Sequence, residues 1–172
     1  MPTPKRDVAL VYVVKVWEPP LSEIAFAVET YDEIIVQIKP MLPDHWAELA
    51  VHKDIPLDPD YDFYARANAT GQLRFITVRK SGDLIGYAIW VVKQHPHYQK
   101  HTWALNDIVW LHPDHRGMAL GRRLVDFWES KFTEWGVHVV HVDTKIVAPQ
   151  LLYLLKGCGY DVTGVALERR LK

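Results

Sequence analysis

The run Arg116-Gly117-Met118-Ala119-Leu120-Gly121 stands where a strand pattern gives way to a helical one, and Arg122 and Arg123 follow it. A turn of this composition leaves unpaired backbone N–H groups at the positive end of the helix it opens. Small residues let an anion approach that backbone, and Arg116, Arg122 and Arg123 add positive charge, so a phosphate or pyrophosphate is the natural guest. The alternative is that Gly117 and Gly121 serve only a tight turn and close helix-to-sheet packing. The run is neither a P-loop nor a dinucleotide fingerprint, and the strands before it are joined by hairpins, which points to a phosphorylated carrier as the ligand.

Four further sets of residues have types suited to chemistry. Asp107 interrupts the apolar strand Ala104–Leu111 just before the turn, where burial would raise its proton affinity and suit it to general-base work. Its other reading is a structural hydrogen bond to a neighbouring loop. His141 and Asp143 share one face of the next strand and form either a base with its orienting carboxylate or a satisfied polar pair. His95, His97 and His101 have no cysteine or carboxylate partner, so no metal is expected; they read as a hairpin loop near an acceptor cleft, with Tyr98 as an aromatic wall. The acidic-aromatic stretch Asp58–Tyr64 suits a cationic amine through carboxylates and cation–π contacts, or is simply a solvated loop.

The elements that must position these residues follow from periodicity. Val8–Trp17 is β-branched and ends at Pro19-Pro20, a strand; Ile24–Tyr31 is a second. Glu33, Ile34, Ile35 and Ile38 fall at helical spacing, and a second short helix follows, with Asp44 as N-cap and Trp46, Leu49 and Ala50 as its apolar face. Ile55–Tyr64 reads as an ordered loop or short helix. Leu73–Lys80 and Asp83–Lys93 form a hairpin about Ser81-Gly82. Its second arm is apolar on both faces, Leu84, Ala88, Trp90 and Val92 against Ile85, Tyr87, Ile89 and Val91, so helices must cover both sides. A loop, Gln94–His101, leads to a strand at Trp103–Leu111. The helix after the turn carries Leu120, Leu124, Phe127, Trp128 and Phe132 on one stripe up to Gly136. A strand (Val137–Lys145), a helix (Pro149–Gly157) and a last strand (Val162–Leu171) complete the chain. Strand, glycine turn, helix and strand make a βαβ crossover, whose turn is a place where ligands gather.

Composition bounds the rest. The 172 residues carry 20 Lys plus Arg and 21 Asp plus Glu, a net charge of -1, which argues against broad nucleic-acid or membrane-surface binding. No apolar run approaches the ~20 residues of a membrane span. A single Cys158 and the lack of a leader pattern make a reducing, cytoplasmic setting the expectation.

Leu111–Leu124 (LHPDHRGMALGRRL) resembles motif A of the GNAT N-acetyltransferase superfamily, in which an Arg or Gln is followed after two residues by Gly or Ala and after one more by Gly or Ala. Arg116, Ala119 and Gly121 occupy the patterned positions. Ala119 is a less usual choice, whose methyl crowds the phosphates slightly. Leu154–Asp161 (LLKGCGYD) resembles the closing motif B through Gly159-Tyr160. The segments His45–Asp60, His95–Tyr98 and Ala104–Leu111 look most like a branch often encoded by bacteriophages. The resemblance spans residues 42–171 of a single domain and leaves the strand region 1–23 unexplained.

It implies a mixed, mostly antiparallel sheet with helices on both faces. It also implies acetyl-CoA as cosubstrate, its diphosphate on Arg116, Gly117, Met118, Ala119, Leu120, Gly121 and Arg122, and its pantetheine arm paired with Val109, Trp110 and Leu111. The acceptor implied is the amine of a small molecule or of a protein, or a modified base, with no membrane partner, while the near-neutral charge argues against broad nucleic-acid binding; a homodimer stays open, as does a non-catalytic acyl-CoA-binding module. Direct transfer needs a neutral amine, a donor to the oxyanion and a proton for the thiolate. The family often places a Tyr for that last role four residues before the Gly of the Gly-aromatic pair, where this chain has Leu155. Tyr153, about 200° around a helix from Leu155, is a poor substitute at that register, and water is the other proton source.

Overall fold

The computed structural model describes residues 23–171, so the strand read at Val8–Trp17 lies outside the described residues. In chain order the elements are β1 (Ile24–Glu29), α1 (Tyr31–Ile38), α2 (Leu42–Leu49), α3 (Tyr61–Ala69), β2 (Leu73–Lys80), β3 (Asp83–His95), β4 (Tyr98–Leu111), α4 (Met118–Glu134), β5 (Val137–His141) and α5 (Gln150–Gly157). The strands form a five-stranded sheet in sequence order, antiparallel from β1 to β4 and parallel between β4 and β5.

Helices cover both faces, as the doubly apolar β3 requires. On one face Ile76, Val78, Ala88, Trp90 and Ala104 pack against Leu120, Leu124, Trp128, Phe132 and Leu155 of α4 and α5. Fully buried Trp90 meets the rings of Trp128 and Phe132 edge-on at 5.1 and 4.8 Å. On the other face Phe75, Tyr87, Ile89 and Trp110 pack against Tyr31, Ile34, Ile38 and Leu42. Strict alternation fails at one point. A bulge lies opposite Val78/Arg79, between Gly86 and Leu84, and it turns Ile85 to the α4 side and Leu84 to the α1 side, the reverse of the faces read from alternation. The two-residue turn is Ser81-Gly82, with φ of 50° and 95°, left-handed at both positions as this type of hairpin demands.

Local sequence sets most boundaries. Thr30 and Glu33 form a reciprocal capping box at the start of α1. The break at Pro40 is a 3-10 turn, Lys39–Met41. Asp44 does not cap α2: Met41 holds that position, and Asp44 lies in the first turn beside Pro43. Ile55–Tyr64 divides in two, with the prolines in a loop and Asp60 capping α3 by accepting from the Phe63 N–H at 2.8 Å. β4 starts at Tyr98, because only Pro96 and His97 turn and the rest of Gln94–His101 pairs as strand. β5 ends at His141, short of Lys145.

Val162–Leu171 forms no strand. Its polar side chains pair instead with loops: Glu168 with His52 (3.3 Å) and Lys145 (3.9 Å), and Arg170 with Asp54. Among the described residues no helix is long and apolar enough to cross a membrane.

Candidate active site at the parting of two strands

β4 and β5 pair from Thr102/Val137 to Leu105/His141 and then separate. The last rung is closed by a side chain. The Asn106 carboxamide donates to the Asp143 carbonyl at 3.2 Å and accepts from the Asp143 N–H at 2.7 Å, taking the place of a peptide group. From Asn106 to Leu111 β4 is paired on its β3 side alone, and a cleft of about 580 Å³ opens beside it, walled by β4, α2, the start of α4 and α5. Asp107 is the unpaired residue of a second bulge, since Ile89 opposes Ile108 and Trp90 opposes Asn106. A bulge re-aims its side chain, and here Asp107 lines the cleft. The expectation of a buried carboxylate is overturned: Asp107 is exposed, and its Oδ2 accepts from the Tyr64 hydroxyl at 2.7 Å.

At the far end of the cleft Gly117 is the extended N-cap of α4 (φ -174°), with no side-chain cap and no acidic residue in the first turn. Gly121 is the first residue whose N–H finds an intrahelical acceptor, the Gly117 carbonyl at 3.0 Å. The N–H groups before it are the positive end of the helix.

The arginines are not free charges beside it. Arg116 holds Glu48 through two 2.6 Å bonds and gives its Nε–H to the Leu111 carbonyl at 2.8 Å. Glu48 also accepts from Trp110 Nε1 at 3.0 Å. The Arg116 hydrogen bonds hold the Glu48 carboxyl below its ordinary range, against partial burial. Arg122 binds Asp126 (3.0 Å) and the Gly157 carbonyl (3.2 Å), and Arg123 lies over the Phe26 ring at 5.1 Å. Gly121 serves packing: a Cβ there would stand 2.8 Å from Leu154 Cδ2 of α5.

The acid–base candidates divide. Asp143 lines the cleft with Asp107, while His141 does not; its Nε2 lies 3.4 Å from Asp143 Oδ1. Leu155 is buried in the α4–α5 core, and Tyr153 lines the cleft and is 69% exposed. The helical angle that seemed to disqualify Tyr153 is measured from Leu155, and Leu155 faces the other way. Sequence reasoning missed His45. It walls the cleft, stacks on Trp110 at 5.7 Å and places Nδ1 3.1 Å from the Tyr87 hydroxyl. Burial pushes its pKa down to about 4, with Arg116 assisting and Glu48 opposing.

His95, Tyr98 and Trp103 stack at the tip of the β3–β4 hairpin, away from the cleft, so they form no wall of it. No metal-holding group of three exists among the described residues. Asp58, Tyr61 and Tyr64 do gather, in a second cavity of about 420 Å³ between α1–α3 and the sheet.

Residues 38–160 match the model of the acetyltransferase (GNAT) family. Similar solved structures include a ribosomal-protein-alanine N-acetyltransferase from Brucella melitensis (19% identity, TM-score 0.66, 87% of this chain and 99% of that one). An aminoglycoside acetyltransferase from an uncultured soil metagenomic sample, in complex with sisomicin, matches at 12% identity and TM-score 0.69 over 88% and 98%. A predicted acetyltransferase from Clostridium acetobutylicum with acetyl-CoA matches at 14% and 0.65 over 86% and 96%. No curated protein matches the chain in sequence. These likenesses carry the fold, and the family model spans most of the chain, which belongs to the acetyltransferase (GNAT) family.

Proposed function

We propose that the protein transfers an acetyl group from acetyl-CoA directly to a primary amine. The observation that carries this reading is one cleft with an unpaired strand edge along it, an uncapped helix N-terminus at one end and a bulged carboxylate at the other. Backbone N–H groups of Gly117–Leu120 hold the diphosphate, by main-chain donors rather than by arginine charge, while Arg116 works as a strut that ties α2 to the end of β4. The edge at Val109–Trp110 takes the peptide-like pantetheine arm as an added strand, and the Leu111 carbonyl is already engaged by Arg116.

The thioester supplies the activated acyl group. The amine nitrogen attacks its carbonyl carbon, Asp107 takes the proton the nitrogen sheds, and the C–S bond breaks. Tyr153 gives its hydroxyl proton to the departing thiolate. Asp143, oriented by Asn106, keeps His141 within reach as a proton carrier at the rim. The segments shared with phage-encoded members support a place in that branch.

Thermal stabilisation by acetyl-CoA and by CoA, followed by thiol release over a panel of amines, tests the reading. Stabilisation with amine-dependent thiol release is expected. No stabilisation at millimolar cofactor overturns it, and binding without release for any amine points to an acyl-CoA-binding module.

A further inference from the structure

The second cavity shares the wall residue Ile108 with the cleft. Tyr64, a wall of the cavity, donates to Asp107, a wall of the cleft. Asp107 itself lines the cleft and not the cavity, so a molecule in the cavity lies against Tyr64 and Ile108 and reaches Asp107 where the two spaces adjoin; Asp107 Oδ1 takes no hydrogen bond from a described residue. The lining is mostly apolar and aromatic, with Tyr31, Trp46, Tyr61, Tyr64 and Phe75 and aliphatic side chains between them; His52, which pairs with Glu168, and one carboxylate, Asp58, are its ionisable side chains besides the tyrosines. The volume, about 420 Å³, is that of a small-ligand site.

Resting on the transferase reading, we propose that the acceptor is a primary monoamine with an aromatic or branched apolar body. The body lies in this cavity and the amine at Asp107. A polycation is the wrong guest for two reasons. Beyond an amine at Asp107 the wall holds one carboxylate, Asp58, so any further ammonium would be desolvated among rings, which costs several kcal/mol per unpaired charge. Lys39 already places its Nζ 4.2 Å from the Tyr61 ring centroid, so that ring of the wall is occupied by a cation.

Equilibrium binding to the full chain without cofactor tests this, read from tryptophan fluorescence and from ligand-detected NMR. The probes are 2-phenylethylamine, its uncharged counterpart 2-phenylethanol, and spermidine. The amine is expected to bind at least about tenfold more tightly than either of the others. Trp46→Ala should weaken it about tenfold, and so should Ile55→Asp, an exposed wall position whose change leaves the core intact. Asp107→Asn should erase the preference for amine over alcohol. Tighter binding of spermidine, absence of saturable 2-phenylethylamine binding, or binding indifferent to both wall variants overturns the proposal. Acetyl-CoA stabilisation of the same samples separates the two failures. Cofactor binding without 2-phenylethylamine binding defeats the acceptor class alone, and the reverse defeats the transferase reading while the pocket chemistry stands.

Discussion

Asp107 lies in a stretch of alternating burial yet belongs to neither face of the sheet, because the bulge gives it no opposite residue. Its reach into the cleft depends on that backbone irregularity and on the Tyr64 hydroxyl. Asp107→Asn keeps the size and loses the proton acceptor, so kcat should fall about 10²- to 10⁴-fold while the acetyl-CoA concentration for half-maximal stabilisation stays the same. Unchanged turnover removes Asp107 from the mechanism. The position was legible as a lone carboxylate in an apolar strand, but its exposure was not, since a bulge has no signature in side-chain periodicity.

His45 leaves a different trace. Its native pKa near 4 lies below the unfolded value of about 6.5, so the unfolded chain binds the extra proton between those pH values. Its neutral form therefore supports the fold fully above pH ~6.5, and the support is lost as pH falls toward 4, by at most about 3 kcal/mol. Glu48, held low by Arg116, keeps its contribution through that window and loses it only below the ordinary carboxylate range. Urea unfolding at several pH values should show His45→Gln with a flatter loss of stability than the parent over this interval. Parallel curves would count against the assignment.

Elements with strong periodicity were legible, and elements held by tertiary contact were not. The stripe from Leu120 to Phe132 is buried against Trp90 and its neighbours because its spacing leaves no other face to hide. The early end of β5 follows from where its pairing with β4 stops, at Leu105/His141, and Val162–Leu171 is held by side-chain pairs to His52, Asp54 and Lys145; neither segment's own residues report that. Glycines were harder still. In the segment Arg116–Gly121, Gly121 contributes the approach of α5, and the uncapped N–H groups that precede it are the proposed anion site. The two roles separate by substitution. Ala119→Glu sets a carboxylate in the first turn of α4, where it favours the helix by about 0.3–1 kcal/mol and meets the diphosphate with like charge. The ligand-free protein should melt no lower than the parent, and stabilisation by acetyl-CoA should vanish. Retained stabilisation would place the diphosphate elsewhere. Gly121→Glu tests less cleanly, since it also displaces Leu154.

At the scale of the molecule, two cavities share the wall residue Ile108 and are linked by the Tyr64–Asp107 hydrogen bond, so on the proposed reading both reactants have room to be present together. Among the described residues the cleft offers no thiol or serine hydroxyl to carry the acyl group between them. No cysteine or serine lines either cavity, and the one thiol, Cys158, is half-buried beyond the end of α5, where burial raises its pKa and Arg122 lies nearby. An acyl-enzyme route through a thiolate has no nucleophile in place. The proposed transfer then passes through a ternary complex, with orientation of amine and thioester supplying much of the acceleration. Initial rates measured against acetyl-CoA at several fixed amine concentrations should give double-reciprocal lines that intersect, and Cys158→Ala should retain turnover within about twofold of the parent. Parallel lines, with turnover lost in Cys158→Ala, would mean that the acyl group passes from the thioester to the Cys158 sulfur and then to the amine, and the direct mechanism would fall.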